Sequence, residues 1–368
     1  MSVKIIISGG GTGGHIFPAI AIANAIKVLN EDAEILFVGA EGRMEMEKVP
    51  ASGYKIEGLW ISGLQRRLTV DNLSFPLKVI SSVLKARKII KRFKPDAVVG
   101  VGGYASGPLL YAAARNRIPT LIQEQNSFPG ITNKLLAGRV RKICVAYDGM
   151  ERFFPAYKLL KTGNPVRQDI LNLEGKRAIA FEEFGLDNTK KTILVIGGSL
   201  GARTINESIA QGLAEFTKDD VQVLWQTGKG YIEQAEQALA ENKYPGIKAS
   251  AFITRMDYAY AVADIVISRA GASSVSELCV VKKPSILVPS PNVAEDHQTK
   301  NAMALVDKNA AILIKDAKAR QDLVKTALQL IHNEKEQKEL SENIAELGIT
   351  DAAQVIAAEI LAMCKPKI

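Results

Sequence analysis

Five of the six residues from Gly9 to Gly14 are glycine, and the run separates two segments of different character. Ahead of it, Lys4-Ile5-Ile6-Ile7-Ser8 has the β-branched bias of a buried strand. Behind it, Phe17-Pro18-Ala19-Ile20 opens an apolar stretch in which Pro18 suits the first turn of a helix. Strand, glycine turn and helix start, in that order, form the first unit of a doubly wound α/β domain, whose ligands bind at the carboxyl ends of the strands. Glycines let the backbone approach an anion closely, and the helix start offers that anion its N–H groups. Gly9, Gly11 and Gly14 also satisfy G-x-G-x-x-G, a weak signal alone. His15 makes this copy informative, because it puts a titratable side chain at the mouth of the turn.

The same logic recurs twice. Gly100-Val101-Gly102-Gly103-Tyr104-Ala105-Ser106-Gly107-Pro108 follows Asp96-Ala97-Val98-Val99, and Gly197-Gly198-Ser199-Leu200-Gly201-Ala202-Arg203 follows an apolar run at 192–196. One such turn is most often structural; three favour anionic ligands and weaken a simple NAD oxidoreductase, which needs only one. Strands are predicted at 4–8, 34–39, 97–101, 119–122 and 141–145, with helices near 16–29, 76–93, 105–116 and 130–137. After Thr162-Gly163-Asn164-Pro165, the best linker candidate, strands follow at 192–196, 221–225, 264–268, 285–288 and 311–314. A chain of 368 residues has room for two domains, and two similar α/β domains facing each other are expected.

Cys144, Cys279 and Cys364 are few, scattered and odd in number, which gives neither a disulfide framework nor metal-type spacing and suits a reducing cytoplasm. Met1-Ser2-Val3 leads straight into the first strand, leaving no room for a signal peptide, and no apolar run approaches the roughly 20 residues of a membrane span. The net charge of +8 is unevenly spread: residues 71–94 hold seven basic residues against Asp71 alone. On a helix over 76–93, Val79, Val83, Ala86, Ile90 and Phe93 form the expected core stripe. Leu77, Ile80 and Leu84 form a second stripe, extended by Leu73 if the helix starts early, and flanked by Arg87, Lys88 and Lys91. Either a neighbouring loop covers this second stripe or it docks on an anionic membrane surface.

Other candidates have plain alternatives. Ser274-Val275-Ser276-Glu277 reads first as a capping box, and only second as a carboxylate offered to sugar hydroxyls. Asn126, between Gln125 and Ser127, is by default a turn residue. His15 is a candidate general base; His332 reads as a surface residue.

Taken in order, these segments resemble the bacterial peptidoglycan glycosyltransferases that add N-acetylglucosamine to lipid I, in glycosyltransferase family 28. The resemblance is carried by the run from Gly9 to His15, Gly102 to Pro108, Glu124-Gln125-Asn126 with Gly130 to Asn133, and Gly163 to Arg167. Gly197 to Arg203, Gly271 to Glu277, and Ala294 to Gln298 with Asn301-Ala302 complete it, spanning nearly the whole chain. It implies a glycosyltransferase-B fold, two Rossmann-like domains with a deep cleft. Residues 1–163 with a C-terminal helix inside 350–368 would hold an undecaprenyl-diphosphate-linked muramyl-peptide acceptor and dock on the membrane; 164–349 would hold UDP-N-acetylglucosamine.

The resemblance further implies that Ile253 reads the uracil through its backbone and that Glu277 bonds the ribose, reversing the capping-box preference. Ser199 and the helix start at Ala272, Ser273 and Ser274 would face the diphosphate, with Arg167 also at the donor. Gln298 would contact the sugar, as would Thr12, Gly13, Gly14 and Asn126 from the first domain. Gln123 departs from the pattern, standing where many members have histidine, and the stripe at Leu77, Ile80 and Leu84 lacks the aromatics some members carry. An inverting displacement needs a base for the muramyl 4-hydroxyl, assigned to His15, and stabilisation of departing UDP, which a helix N-terminus can give without metal or cofactor. No Asp-x-Asp metal motif and no nucleic-acid partner are expected. The implied location is peripheral, at the cytoplasmic face of the plasma membrane. The rivals are a UDP-N-acetylglucosamine 2-epimerase on the same fold and a non-catalytic nucleotide-sugar-binding protein.

Overall fold

The computed structural model describes residues 2–63, 74–198, 201–242 and 244–364. Ser199, assigned above to the diphosphate, and Leu73 lie outside these residues. The chain forms two compact units, Met1–Val166 with Asp351–Ile368, and Arg167–Thr350.

The first unit is built on a parallel sheet of β1 (Lys4–Ser8), β2 (Glu34–Ala40), β3 (Lys55–Leu59), β4 (Ala97–Gly100), β5 (Thr120–Glu124), β6 (Lys142–Val145) and β7 (Leu159–Lys161). Their order is β3-β2-β1-β4-β5-β6-β7. Successive residues of a strand face opposite sides, so Ile5 and Ile7 enter one core while Ile6 enters the other. The first core lies under helices Gly13–Leu29 and Ala352–Cys364, which pack on each other. The second lies under Phe75–Phe93, Ser106–Arg115 and Ile131–Leu136.

The second unit repeats the plan with β8 (Thr192–Ile196), β9 (Gln222–Gln226), β10 (Ile247–Ser250), β11 (Ile265–Ser268), β12 (Ser285–Leu287) and β13 (Ile312–Leu313), all parallel. Their order is β10-β9-β8-β11-β12-β13. In each sheet the winding reverses once, between β1 and β4 and between β8 and β11. Connections there leave toward opposite faces and open a crevice at the carboxyl ends of the two strands. The three glycine turns and the Gly271 segment follow β1, β4, β8 and β11, so they occupy these two crevices.

Candidate functional site

In the first unit the turns after β1 and β4 touch. Gly103 sits at φ +88°, and a Cβ on it would stand 2.4 Å from the Gly10 carbonyl oxygen. Gly102, at φ +97°, lies against the His15 ring, where a Cβ would come within 2.7 Å of Nε2. His15 Nδ1 lies 3.0 Å from the Gly10 carbonyl oxygen and 3.3 Å from Thr12 Oγ1. A carbonyl can only accept, so Nδ1 carries the proton and the imidazole lone pair belongs to Nε2. That is the tautomer of a general base acting through Nε2. Thr12 is the N-cap of the helix that Gly13 and Gly14 begin, and its hydroxyl, beside the His15 ring, caps no backbone N–H there.

The sequence reading missed Glu45. Its buried carboxylate accepts from Gly11 N–H at 2.8 Å and from Ala40 N–H at 3.0 Å. A Cβ on Gly10 would lie 2.1 Å from its Oε1. Glu45 therefore fixes the turn whose carbonyl sets the His15 tautomer, and only the glycines leave space for it. Glu45→Ala orphans the buried Ala40 donor and the half-buried Gly11 donor, at up to about 1–3 kcal/mol each. Urea unfolding should show that loss, and Glu45→Gln, which keeps one acceptor oxygen, should recover about half of it.

Asn126 is placed by Glu124, another buried carboxylate. Glu124 Oε1 accepts from Asn126 N at 3.0 Å and Nδ2 at 3.2 Å, while Oε2 accepts from Gly130 N at 3.1 Å and Asn133 Nδ2 at 2.7 Å. Gln123, the departure from the family pattern, belongs to a buried amide network: it donates to Asn164 Oδ1 at 2.9 Å and accepts from Gln125.

In the second unit, Glu277 lies inside the helix Ala272–Val281, whose N-cap is Gly271, so the capping box is not formed. Its Oε1 instead accepts from Arg167 Nε at 3.0 Å and its Oε2 from Tyr260 Oη at 2.9 Å. Burial, then the adjacent Glu277 carboxylate, push the Tyr260 phenol well above its ordinary value, keeping it a neutral donor. Tyr260, buried in the core, gave no sign of this role in sequence. At the helix start, where backbone N–H groups lack intrahelical partners, Ser273 Oγ is buried and finds no hydrogen-bond partner among the described residues. Ala272 is buried and Ser274 half-buried beside it.

Ile253 and the third glycine turn are joined by Gln226, at the end of β9. Gln226 Oε1 accepts from Ile253 N at 3.0 Å, and its Nε2 donates to the Gly198 carbonyl at 3.2 Å. With that N–H engaged, a base read at Ile253 meets its carbonyl unless Gln226 turns away. Gln298 accepts from Ser290 N at 2.8 Å. Ahead of it, Glu295 and Asp296 are left-handed in succession, at φ +55° and +50°. Such non-glycine conformations cost about 1–3 kcal/mol each and persist where surrounding contacts hold them. Here Lys300 Nζ donates to the Glu295 carbonyl and Thr299 Oγ1 to Asp296. The thiols take no part: burial pushes Cys144, Cys279 and Cys364 up to about 12.

On the helix Phe75–Phe93, burial is deepest at Ser82, Ala86, Ile89 and Ile90, with Val79, Val83 and Phe93 half-buried. Leu77, Ile80 and Leu84 are 64%, 59% and 57% exposed. Lys85 pairs with Glu41 and Arg92 with Glu57, while Arg87, Lys88 and Lys91 have no carboxylate partner among the described residues. An aromatic does join this patch from outside the helix. Half-exposed Trp60 has Lys78 Nζ 5.7 Å from its ring, and its carbonyl accepts from Ser82 Oγ at 3.0 Å. No described helix is long and apolar enough to cross a membrane.

Residues 5–145 match the glycosyltransferase family 28 N-terminal domain, and 192–356 the family's C-terminal domain. A Phocaeicola vulgatus protein is 58% identical over 360 residues, 98% of this chain and 96% of its own length. A Parabacteroides distasonis protein is 58% identical over 364 residues, 99% of each chain. Both are named UDP-N-acetylglucosamine--N-acetylmuramyl-(pentapeptide) pyrophosphoryl-undecaprenol N-acetylglucosamine transferase. Among solved structures, Acinetobacter baumannii MurG aligns with a TM-score of 0.76 at 27% identity, covering 98% of this chain and all of its own.

Proposed function

This chain belongs to glycosyltransferase family 28, and on that footing we propose how its two units divide one reaction. The chain moves N-acetylglucosamine from UDP-N-acetylglucosamine to lipid I, giving lipid II. The observation that carries the division of labour is the placing of the motif loops at the reversal point of each sheet. The second unit holds the donor. Glu277, fixed by Arg167 and Tyr260, offers its remaining lone pairs to the ribose hydroxyls. The helix start at Ala272, Ser273 and Ser274 takes the diphosphate, with the Ser273 hydroxyl, which has no partner among the described residues, as a further donor. Ile253 lies at the uracil and Gln298 at the sugar. Ser199, in the third glycine turn, completes the diphosphate contacts.

The first unit holds the lipid-linked acceptor, with Thr12, Gly13, Gly14 and Asn126 contacting the transferred sugar. In the transfer step the muramyl 4-hydroxyl oxygen attacks the anomeric carbon as the bond to the UDP oxygen breaks. The hydroxyl proton passes to His15 Nε2, and UDP leaves with the bonding electron pair. N–H groups and the partial positive charge of the Ala272–Val281 helix start stabilise that leaving charge. Because the relatives are named as transferases, the epimerase reading drops away. With a lipid I analogue present, UDP and the disaccharide product should appear in equal amounts. Conversion of the donor to N-acetylmannosamine without acceptor would restore the epimerase.

A lipid-bound acceptor requires work at a bilayer, and the basic, apolar face of Phe75–Phe93 supports peripheral docking there through Leu77, Ile80, Leu84, Arg87, Lys88 and Lys91. A nucleotide-sugar donor places that surface on the cytoplasmic side. Each basic residue at an anionic leaflet contributes about 1 kcal/mol, screened by salt. The protein should therefore co-sediment with anionic vesicles at low salt and less so at high salt. Lys88→Glu/Lys91→Glu should abolish most of that binding.

A further inference from the structure

At the carboxyl edge of the second sheet lies an ion pair that the transfer step does not use. Arg269, the first residue after β11, and Asp316, three residues beyond β13, have side chains only 11% and 17% exposed. Asp316 Oδ1 accepts from Arg269 Nη1, and its Oδ2 accepts from Thr204 Oγ1 at 3.0 Å. Thr204 lies in the first turn of the helix Arg203–Gln211, directly behind the third glycine turn. Arg269 Nη1 also donates to the Val288 and Pro289 carbonyls, at 3.0 and 3.2 Å, just past the end of β12.

The pair therefore reaches the segments that follow β8, β11 and β12, and each of these carries a donor contact proposed above. Ser199 lies in the turn ahead of Thr204, and Ala272 opens its helix three residues past Arg269. Ser290, the residue after Pro289, donates its N–H to Gln298. Arg269 N–H closes the backbone bonding of β11 on β8 by donating to the Ile196 carbonyl at 3.3 Å, and past it side chains set the loop spacing. A buried ion pair gains little stability over packed apolar residues of the same size. What it supplies is geometry, because a guanidinium and a carboxylate meet in few orientations.

We propose that Asp316 is a positioning residue of the donor site. Through Thr204 and Arg269 it sets the distance between the third glycine turn and the Ala272 helix start, and so the span that the diphosphate and sugar must fit. The inference rests on the donor reading and gives Asp316 no contact with the donor itself. A second buried carboxylate supplies the contrast. Asp257 accepts from Arg255 Nε at 2.9 Å and Nη2 at 2.8 Å, and from Lys176 Nζ at 3.0 Å. Arg255 stands two residues past Ile253, and Lys176 Nζ also donates to the carbonyl of Asp169, two residues past Arg167. Asp257 thus braces the nucleoside side of the site, and Asp316 the diphosphate and sugar side.

The test compares wild type, Asp316→Asn, Thr204→Val and Asp257→Asn, with thermal melting to confirm that each is folded. Calorimetry gives the dissociation constant of UDP-N-acetylglucosamine, and competition with that donor gives the constant of uridine. The uridine constant divided by the donor constant measures what diphosphate and sugar add to nucleoside binding. Asp316→Asn should lower that ratio about tenfold, the scale of one charge-assisted hydrogen bond, and leave uridine binding at wild type. Thr204→Val, nearly isosteric and lacking one hydrogen bond, should lower it about threefold. In steady state the donor KM should rise to match, with the acceptor KM and the turnover at saturating donor close to wild type. Asp257→Asn should weaken both ligands by one factor and leave the ratio unchanged. A wild-type ratio in Asp316→Asn, or in Thr204→Val should Asp316→Asn not fold, would overturn the inference. An equal fall of the ratio in Asp257→Asn would also overturn it, since the effect would then be a general loosening of the unit. A ratio near one in wild type would instead remove the donor reading itself.

Discussion

Replacing His15 with alanine is expected to lower turnover by roughly 10²–10⁴-fold while leaving donor binding close to wild type. The expectation comes from the tautomer. Gly10 accepts from Nδ1–H, which leaves the lone pair on Nε2, and Gly102 has no side chain to displace the ring. A base must be neutral to act, so wild-type turnover should rise with pH as the imidazolium loses its proton. The residual rate of His15→Ala should lack that rise. Steady-state rates across pH, with donor affinity measured separately by calorimetry, decide the matter. Wild-type turnover in the variant would remove His15 from the proton transfer. A raised donor dissociation constant with unchanged turnover would make it a binding residue instead.

Glu277→Ala is the second large effect, and it acts on the donor. The change removes the proposed ribose contacts and strips Arg167 and Tyr260 of the carboxylate each now bonds. Loss of such hydrogen bonds is worth roughly 1–3 kcal/mol, so the dissociation constant for UDP-N-acetylglucosamine should rise roughly 5- to 150-fold. Tyr260→Phe supplies the contrast, since it deletes one bond to Glu277 and leaves the carboxylate in place. It should weaken donor binding much less. Equal effects of the two variants would mean that Glu277 serves the packing of its helix and does not touch the ribose.

How much of this was legible in the sequence follows from where each residue gets its partners. Central strands such as β1, β4 and β8 are buried on both faces and read as continuous apolar runs. The three strands absent from the sequence prediction, β3, β7 and β10, are all at sheet edges. Their half-exposed residues, as in Lys55-Ile56-Glu57-Gly58-Leu59, break the apolar run. The glycine turns were visible because their geometry demands a residue type. Glu45 and Gln226 were not, because each acts on backbone groups distant in sequence, Gly11 and Ile253, and nothing local marks them. Glu277 shows the converse. Its spacing from Ser274 matched a capping box, but a partner 110 residues away, Arg167, decides its role.

The central claim is a single inverting displacement, and the anomeric configuration of the first-formed disaccharide tests it most directly. UDP-N-acetylglucosamine is α-linked, so proton NMR of the product formed on a soluble lipid I analogue should show the β-linked sugar alone, with one UDP released per linkage. An α-linked product would contradict it, because retention requires two displacements or a different attacking face.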